Sequence, residues 1–313
     1  MSSRNTCLTL HCSIVLALAA CSTDTTAIPC TMDDECPSRF CQADDTCAPL
    51  QTADASTGGD SSTQMDAPNS TACTPNNDGM ISLAELPLAA GRSANFLIAA
   101  GSNISWNTAG TAGSDGSRSW DLSGALPGDN EQPVMLSSPS GAWWASDFPT
   151  ATYATLLSKS APTQLGVFNV GSGGVTLLGV VSSSAGATET ELTYDPPAQI
   201  VAVPFKDSDT WTSTSTVTGT LSGIEDPHTE EYDSEVDQVG TMKTPYGTFP
   251  VLRVATTLKY NSVAYSLTYA WFAECFGSVA KVCGGNCEYG ATTLVQAPNG
   301  DFTNPAEVWR ITP

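Results

Sequence analysis

Hydrophobic and polar positions between residues 73 and 313 alternate in short runs that are typical of β-strands. Examples are SANFLIAA, GVTLLGVVS, QIVAVPF, TWTSTSTVTG and FPVLRVATTLKY, which are rich in β-branched or aromatic residues and separated by Gly, Pro, Asn and Asp. The segment TPYGTF places Pro245 and Gly247 where a hairpin turn needs them. Because helical periodicity is nearly absent, the pattern predicts a mainly β fold. We expect an antiparallel meander that forms a curved sheet, a half-barrel or a barrel.

A cysteine-rich segment, residues 30–47, precedes this β-rich region. It reads CTMDDECPSRFCQADDTC. So short a segment cannot bury a core, so two disulfides are expected to hold it as a small knot. Three pairings are possible, and the sequence does not choose among them. The cysteines concerned are Cys30, Cys36, Cys41 and Cys47.

The next residues, 48–72, are rich in Ala, Ser, Thr, Asp and Gly and contain no aromatic residue and no base. This composition predicts a flexible linker. The main domain is therefore expected to span residues 73–313.

The first twenty residues have the features of an export signal. Arg4 is followed by an apolar run too short to span a bilayer, which needs about 20 apolar residues. The end of the run, LAAC, resembles a bacterial lipoprotein signal. That resemblance implies cleavage before Cys21, acylation of Cys21 by chains such as palmitate, and a tether over residues 21–29. Ser22 and Thr23 then imply an outer-membrane address, on the periplasmic or cell-surface side. The alternative is an ordinary signal peptide with a buried Cys21.

The cysteine count agrees with export. Of the 11 cysteines, Cys7 and Cys12 would leave with the signal and Cys21 would carry the lipid. An even number then remains, which indicates disulfides in an oxidising compartment. The short segment CGGNC suggests that Cys283 pairs with Cys287, which leaves Cys73 to pair with Cys275.

The charge balance excludes two classes of partner. The chain has 32 Asp and Glu against 11 Lys and Arg, for a formal charge of −21. Such a chain repels nucleic-acid phosphates and anionic membrane surfaces, so its contact with the membrane is expected only through the lipid anchor. Cations are the more compatible small partners.

The segment CTPNNDGMISLAELP has the outline of a calcium-binding loop. It resembles an EF-hand loop with Gly79 at position six, although position one is Thr and Pro75 and Pro87 exclude full flanking helices. Calcium held here would be weakly bound, with a dissociation constant on the order of 10⁻⁴–10⁻³ M. The alternative is a simple Asn-Asp-Gly turn followed by a capping box from Ser82 to Glu85. The implied ligands are Thr74, Asn76, Asp78, Met80, Ser82 and Glu85.

Catalytic motifs are scarce in the mature chain. Its single histidine, His228, lies in GIEDPHTEEYD, where we expect a solvated loop residue. The string from Ser278 to Lys281 matches S-x-x-K, but it lies in a strand pattern where the two side chains point to opposite faces. The carboxylates between Glu225 and Asp237 leave one enzymatic alternative, a secreted carboxylate-dependent hydrolase on a β scaffold.

Aromatic residues in YSLTYAW fall on one face of a strand. Two interpretations remain open. Trp211, Tyr269 and Trp271 could line an apolar concavity that binds a ligand, or they could belong to the core.

Three segments carry a family resemblance: VPFKDSDTW, VDQVGTMKTPYGTFPVLRV and YAWFAECFGSVAKV. They resemble the tail of bacterial lipoproteins with a half-barrel of the lipoprotein-carrier type. The start of the domain, CTPNNDGMI, resembles a group of myxobacterial exported lipoproteins without an assigned activity. The resemblance supports the fold and names no activity. Together with the export signal, the aromatic stripe and the calcium-like loop, the sequence predicts an outer-membrane-anchored lipoprotein of non-enzymatic, binding or envelope-structural type, with an apolar ligand and one weak calcium ion as its candidate partners.

Overall fold

The computed structural model describes residues 73–101, 103–287 and 295–313, all within the structural unit Ser70–Pro313. The predicted signal, the tether, the cysteine-rich knot and the linker lie outside the described residues. Predictions for Cys21, Cys30, Cys36, Cys41 and Cys47 therefore stay predictions.

Strands dominate the described part of the chain, which also contains a 3₁₀ turn at Leu83–Glu85. The strands are β1 (Met80–Ile81), β2 (Ser93–Ala100), β3 (Thr111–Ala112), β4 (Arg118–Asp121), β5 (Asn130–Met135), β6 (Tyr153–Leu156), β7 (Gln164–Gly171), β8 (Gly174–Ser182), β9 (Glu191–Ala202), β10 (Phe205–Lys206), β11 (Thr210–Leu221), β12 (Ile224–Glu225), β13 (His228–Lys243), β14 (Thr248–Tyr260), β15 (Val263–Ala273), β16 (Gly277–Gly285) and β17 (Glu307–Ile311).

Most strands belong to one large sheet with the order β5-β2-β17-β16-β15-β14-β13-β11-β9-β8-β7-β6. Every neighbouring pair along this path is antiparallel, and strand β4 adds a short parallel pairing to β13. The two ends of the path approach each other, since Ser137 just after β5 and Ala154 in β6 exchange main-chain hydrogen bonds of 2.8 and 2.9 Å. The sheet is therefore a nearly closed, barrel-like meander, which confirms the predicted fold class.

The alternating pattern of each strand divides the sheet into an inner and an outer face. Leu252 and Val254 of β14 point inward, into a cluster that also receives side chains from β6, β7, β8, β9, β11 and β13. Val251, which precedes Leu252 in the strand, points outward and packs with Trp271 of β15. Apolar clusters lie on both faces of the sheet. Apolar residues therefore occur at both odd and even positions along the central strands.

Two buried arginines fasten the covering segments to the outer face. The Arg253 guanidinium donates to both oxygens of Asp237 at 2.9 and 2.6 Å, and to Asp301 at 2.8 Å. Arg310 pairs with Asp129 in the same way. Because an unpaired buried charge is costly, these pairs fix the positions of the loops that carry Asp301 and Asp129.

Glycine at position 240 permits the parallel contact of β4. A Cβ atom there would lie 1.8 Å from the Arg118 carbonyl oxygen. Any other residue would push β4 away from β13, so this glycine allows the sheet to be covered at Trp120.

Both predicted disulfides of the main domain are present. Cys73 bonds to Cys275 across a sequence separation of 202, and Cys283 bonds to Cys287 across a separation of 4. The hairpin expected at Pro245 and Gly247 joins β13 to β14, with Thr244 and Gly247 exchanging main-chain hydrogen bonds.

Candidate functional site

The inner face of the sheet lines a cavity of about 240 Å³. Its walls come from β7, β8, β9, β13, β14, β15, β16 and β17, and from the chain just after β6. Most of its surface is apolar. The lining residues are Leu157, Phe168, Leu177, Val180, Tyr194, Ile200, Tyr232, Thr256, Leu258, Tyr265, Ser266, Thr268, Lys281, Cys283, Asn286, Cys287 and Glu307.

A wider cleft of about 780 Å³ lies beside the Cys73–Cys275 disulfide and Phe276. It borders the point where the chain leaves the described part. The inner cavity is lined by the strands of the sheet, and its lining is more apolar than that of the cleft. Small-molecule sites are concave and largely apolar. We therefore take the inner cavity as the candidate site.

One wall of the cavity carries a lysine and a glutamate. Lys281 of β16 donates from Nζ to the Leu157 carbonyl at 2.9 Å, and its Nζ lies 3.9 Å from the centroid of the Trp309 ring. Burial lowers the pKa of Lys281, and the nearby Glu307 carboxylate opposes that change. The ammonium is thus held by a carbonyl and an aromatic face in a largely apolar setting.

Glu307 of β17 is almost fully buried and fully bonded. Its Oε2 accepts from Ser158 Oγ at 2.8 Å and from the Lys159 amide at 3.0 Å, and its Oε1 accepts from Trp309 Nε1. These bonds tie the chain after β6 across to β17. The Glu307 carboxylate therefore stabilises the packing of these two segments in the cavity wall.

A second buried carboxylate, Glu230 of β13, lies behind the tyrosines of the opposite wall. Its Oε2 accepts from Tyr194 Oη at 2.8 Å and from Tyr232 Oη at 2.6 Å, and its Oε1 faces His228 Nε2 at 3.2 Å. Burial raises the pKa of Tyr232 well above its usual range, and Glu230 raises it further. Both tyrosine hydroxyls donate to the carboxylate.

His228 is not the solvated loop residue that the sequence predicted. It opens β13, is 5% exposed, and stacks on Tyr260 with ring centroids 4.2 Å apart. Burial alone lowers its pKa, but hydrogen bonds to Glu230 and to the Asp226 carbonyl outweigh that effect and raise it. The acidic segment is a strand whose Glu230 points inward, while its neighbours Glu231 and Asp233 bind Lys259 on the outer side.

This arrangement bears on the hydrolase alternative. A carboxylate pair for hydrolysis needs oxygens that can reach a substrate or a water molecule. Each oxygen of Glu230 and Glu307 already takes part in a hydrogen bond to a side chain or amide of the protein. In this geometry the two buried carboxylates therefore serve as hydrogen-bond acceptors within the protein.

The three aromatic residues considered as ligand contacts are not among the residues that line the cavity. Tyr269 and Trp271 are buried on the outer face, where Trp271 packs edge-on against Trp106 and Trp120. Trp211 is partly buried on the inner side and donates from Nε1 to the Ile200 carbonyl at 3.3 Å. In β15, the alternate positions Ser266 and Thr268 face the cavity instead. The core interpretation of Tyr269 and Trp271 is thus the one that this geometry supports.

The calcium-like loop is organised by hydrogen bonds among its own side chains. Asp78 Oδ1 accepts from the Met80 amide at 2.9 Å, and Asp78 Oδ2 accepts from Asn76 Nδ2 at 3.1 Å. Thr74 is exposed. Glu85 is buried, and its Oε2 accepts from both the amide and the hydroxyl of Ser82 at 2.8 Å.

The capping box foreseen as the alternative is therefore present in this loop. Within the described ranges, no group of three or more His, Cys, Asp and Glu side chains is placed to hold a metal. A calcium ion would require Glu85 to leave Ser82, or would bind without it. Calcium binding stays a prediction.

The residues that form the cavity wall were missed by sequence reasoning. Lys281 lies in VAKVC and Glu307 in AEVWRI, so each is a charge inside an apolar strand. Such a residue indicates an inward-facing polar group with a buried partner. That signal was available in the sequence.

Comparison with protein-family models, curated proteins and solved structures finds no match for this chain. Within the part of the chain that the structure describes, no helix is long and apolar enough to cross a membrane.

Proposed function

We propose that this chain is a lipid-anchored binding protein of the outer membrane, without catalytic activity, that holds a small and mainly apolar ligand inside its curved sheet. The proposal combines the export signal and the cysteine of LAAC with the apolar cavity inside the sheet. The membrane is its partner through acyl chains on Cys21, and nucleic acid is excluded by the charge of −21. A calcium ion at the loop from Thr74 to Glu85 would have a stiffening role only.

The cavity of about 240 Å³ is the observation that carries the proposal. An engineered apolar cavity of about 150 Å³ stays dry and binds benzene, so the present one has room for a ligand of about ten heavy atoms. Its walls from Phe168, Leu177 and Val180 offer the apolar contacts that such a ligand needs. Burying an alkyl chain there yields about 0.8 kcal/mol per CH₂ group before the costs of association are subtracted.

A cavity-filling substitution tests this function. Thr268→Phe places a ring inside the cavity, and Val263→Phe places the same ring at an exposed position of the same strand, where Val263 is 48% exposed. The full chain is made as the Cys21→Ser form, so that no detergent competes for the cavity. Titration calorimetry with octan-1-ol measures binding.

We expect octan-1-ol to bind the parent and the Val263→Phe variant alike, and to bind the Thr268→Phe variant about tenfold more weakly or worse. Thermal melting confirms that both variants are folded. Absence of binding to the parent, or equal affinity in all three proteins, would contradict the proposal.

A further inference from the structure

Among the described residues that line the cavity, Lys281 is the only basic one. It lies on β16, between Ala280 and Val282, which both point to the outer face and pack in the core there. Because its two neighbours point to the outer face, the Lys281 side chain points to the inner face of the sheet. Here it faces the largely apolar cavity, so its charge must be accommodated there.

The ammonium of Lys281 is only partly satisfied by the protein. An ammonium has three N–H donors, and Lys281 uses one for the Leu157 carbonyl. Among the described residues it forms no ion pair. Its remaining contact is the face of Trp309, which attracts a cation but accepts no conventional hydrogen bond.

The nearest carboxylate does not complete this site. Glu307 favours the charged form of Lys281 through space, but its oxygens accept from Ser158, the Lys159 amide and Trp309. Turning Glu307 toward Lys281 would leave those donors without an acceptor. The ammonium of Lys281 therefore has N–H donors without an acceptor among the described protein residues, beside the apolar cavity.

We propose that the cavity is specific for a small apolar carboxylate, whose carboxylate pairs with the Lys281 ammonium while its hydrocarbon part lies against Phe168, Leu177 and Val180. This inference rests on the proposed function and adds the chemical class of the ligand. A charge-assisted hydrogen bond in an apolar setting is short and strong, so the carboxylate would dominate ligand choice. Octanoate, with ten heavy atoms, matches the size of the cavity.

A matched series of three probes separates the head group from the chain. Octanoate, octan-1-ol and octylammonium share the same alkyl chain and differ in charge. Each is titrated by calorimetry into the Cys21→Ser form of the full chain. We expect octanoate to bind about 10-fold to 100-fold more tightly than octan-1-ol, and octylammonium to bind most weakly.

Two lysines, Lys281 in the cavity wall and Lys159 outside it, supply the test variant and its control. Lys281→Met keeps the length of the side chain and removes the charge, so the preference for octanoate should fall to within about twofold of octan-1-ol. Lys159→Met removes a nearby lysine that also donates to a main-chain carbonyl, that of Ile98 at 3.2 Å, but that does not line the cavity. That variant should keep the preference.

The outcomes distinguish the two proposals. If none of the three probes binds, the proposed function itself fails. If octan-1-ol binds as well as octanoate, or if Lys281→Met keeps the preference, the cavity binds apolar ligands but the assignment of Lys281 is overturned. Loss of the preference in Lys159→Met to the same extent would also overturn it, because the effect would then reflect general charge. Melting curves of both variants exclude misfolding as the cause.

Discussion

Replacing Cys73 and Cys275 together by serine should lower the free energy of unfolding by about 5 kcal/mol. The disulfide closes a loop with a sequence separation of 202. In the chain-entropy model, such a long loop restricts the unfolded chain strongly, so its loss stabilises the unfolded state. Since domains of this kind have a total stability of about 5–15 kcal/mol, the effect should be a large fraction of the whole.

Contacts around the disulfide indicate that the folded state changes little when the bond is lost. The Cys275 amide donates to the Glu85 carbonyl at 2.9 Å, and the amides of Asn76 and Asn77 donate to Glu274 Oε2 at 2.7 and 2.8 Å. These bonds hold the start of the domain against the β15–β16 turn without the covalent link. The lower free energy of unfolding should therefore come mainly from the greater conformational entropy of the unfolded chain.

The second disulfide provides a control within the same domain. Cys283 and Cys287 are separated by 4 in sequence, so the same model gives a loss of only about 2 kcal/mol when both are replaced by serine. Urea denaturation of the two double variants, followed by tryptophan fluorescence, measures both losses. A loss in the Cys73/Cys275 variant no larger than that in the Cys283/Cys287 variant would refute the loop-closure argument.

Two further predictions concern the chain start and the calcium-like loop. Cys21→Ser should move the protein from the membrane to the soluble fraction, because stable anchoring needs the acyl chains, and a variant that stays in the membrane would contradict the proposed anchor. Millimolar calcium should raise the melting temperature of the wild type and not of Asp78→Ala, whereas indifference of both to calcium and to a chelator would leave only the turn and the capping box at Ser82 and Glu85.

The fold class could be predicted from the sequence because its signal is local. Period-two patterns and turn residues mark strands such as β14. The hairpin at Pro245 is predicted by the six-residue segment TPYGTF alone. Both main-domain disulfides followed from a count of cysteines in an exported chain. None of these inferences requires knowledge of which strands meet in space.

The position of the cavity could not be predicted in the same way. Both faces of the central strands are covered, so the aromatic residues of β15 could belong to either one. Trp271 and Tyr269 pack under Trp106 and Trp120, and the smaller Ser266 and Thr268 border the cavity. A register shift between β15 and β16 at Trp271 further breaks the simple alternation from which faces are inferred.

The error at His228 has a related physical cause. The acidic run GIEDPHTEEYD looks solvated because carboxylates outnumber apolar residues. In the fold, Glu230 is buried because Tyr194, Tyr232 and His228 satisfy it, and Tyr194 comes from β9, far away in sequence. Burial of a charge depends on such distant partners, which a local pattern does not contain.

Native mass spectrometry of the protein released from its own membrane tests the central claim most directly. The claim predicts that the intact chain carries, besides its acyl anchor, a bound compound of about ten heavy atoms that ionises as an acid, and that the Thr268→Phe variant carries none. A wild-type mass that equals the acylated chain alone, with no small acid released on denaturation, would contradict the account.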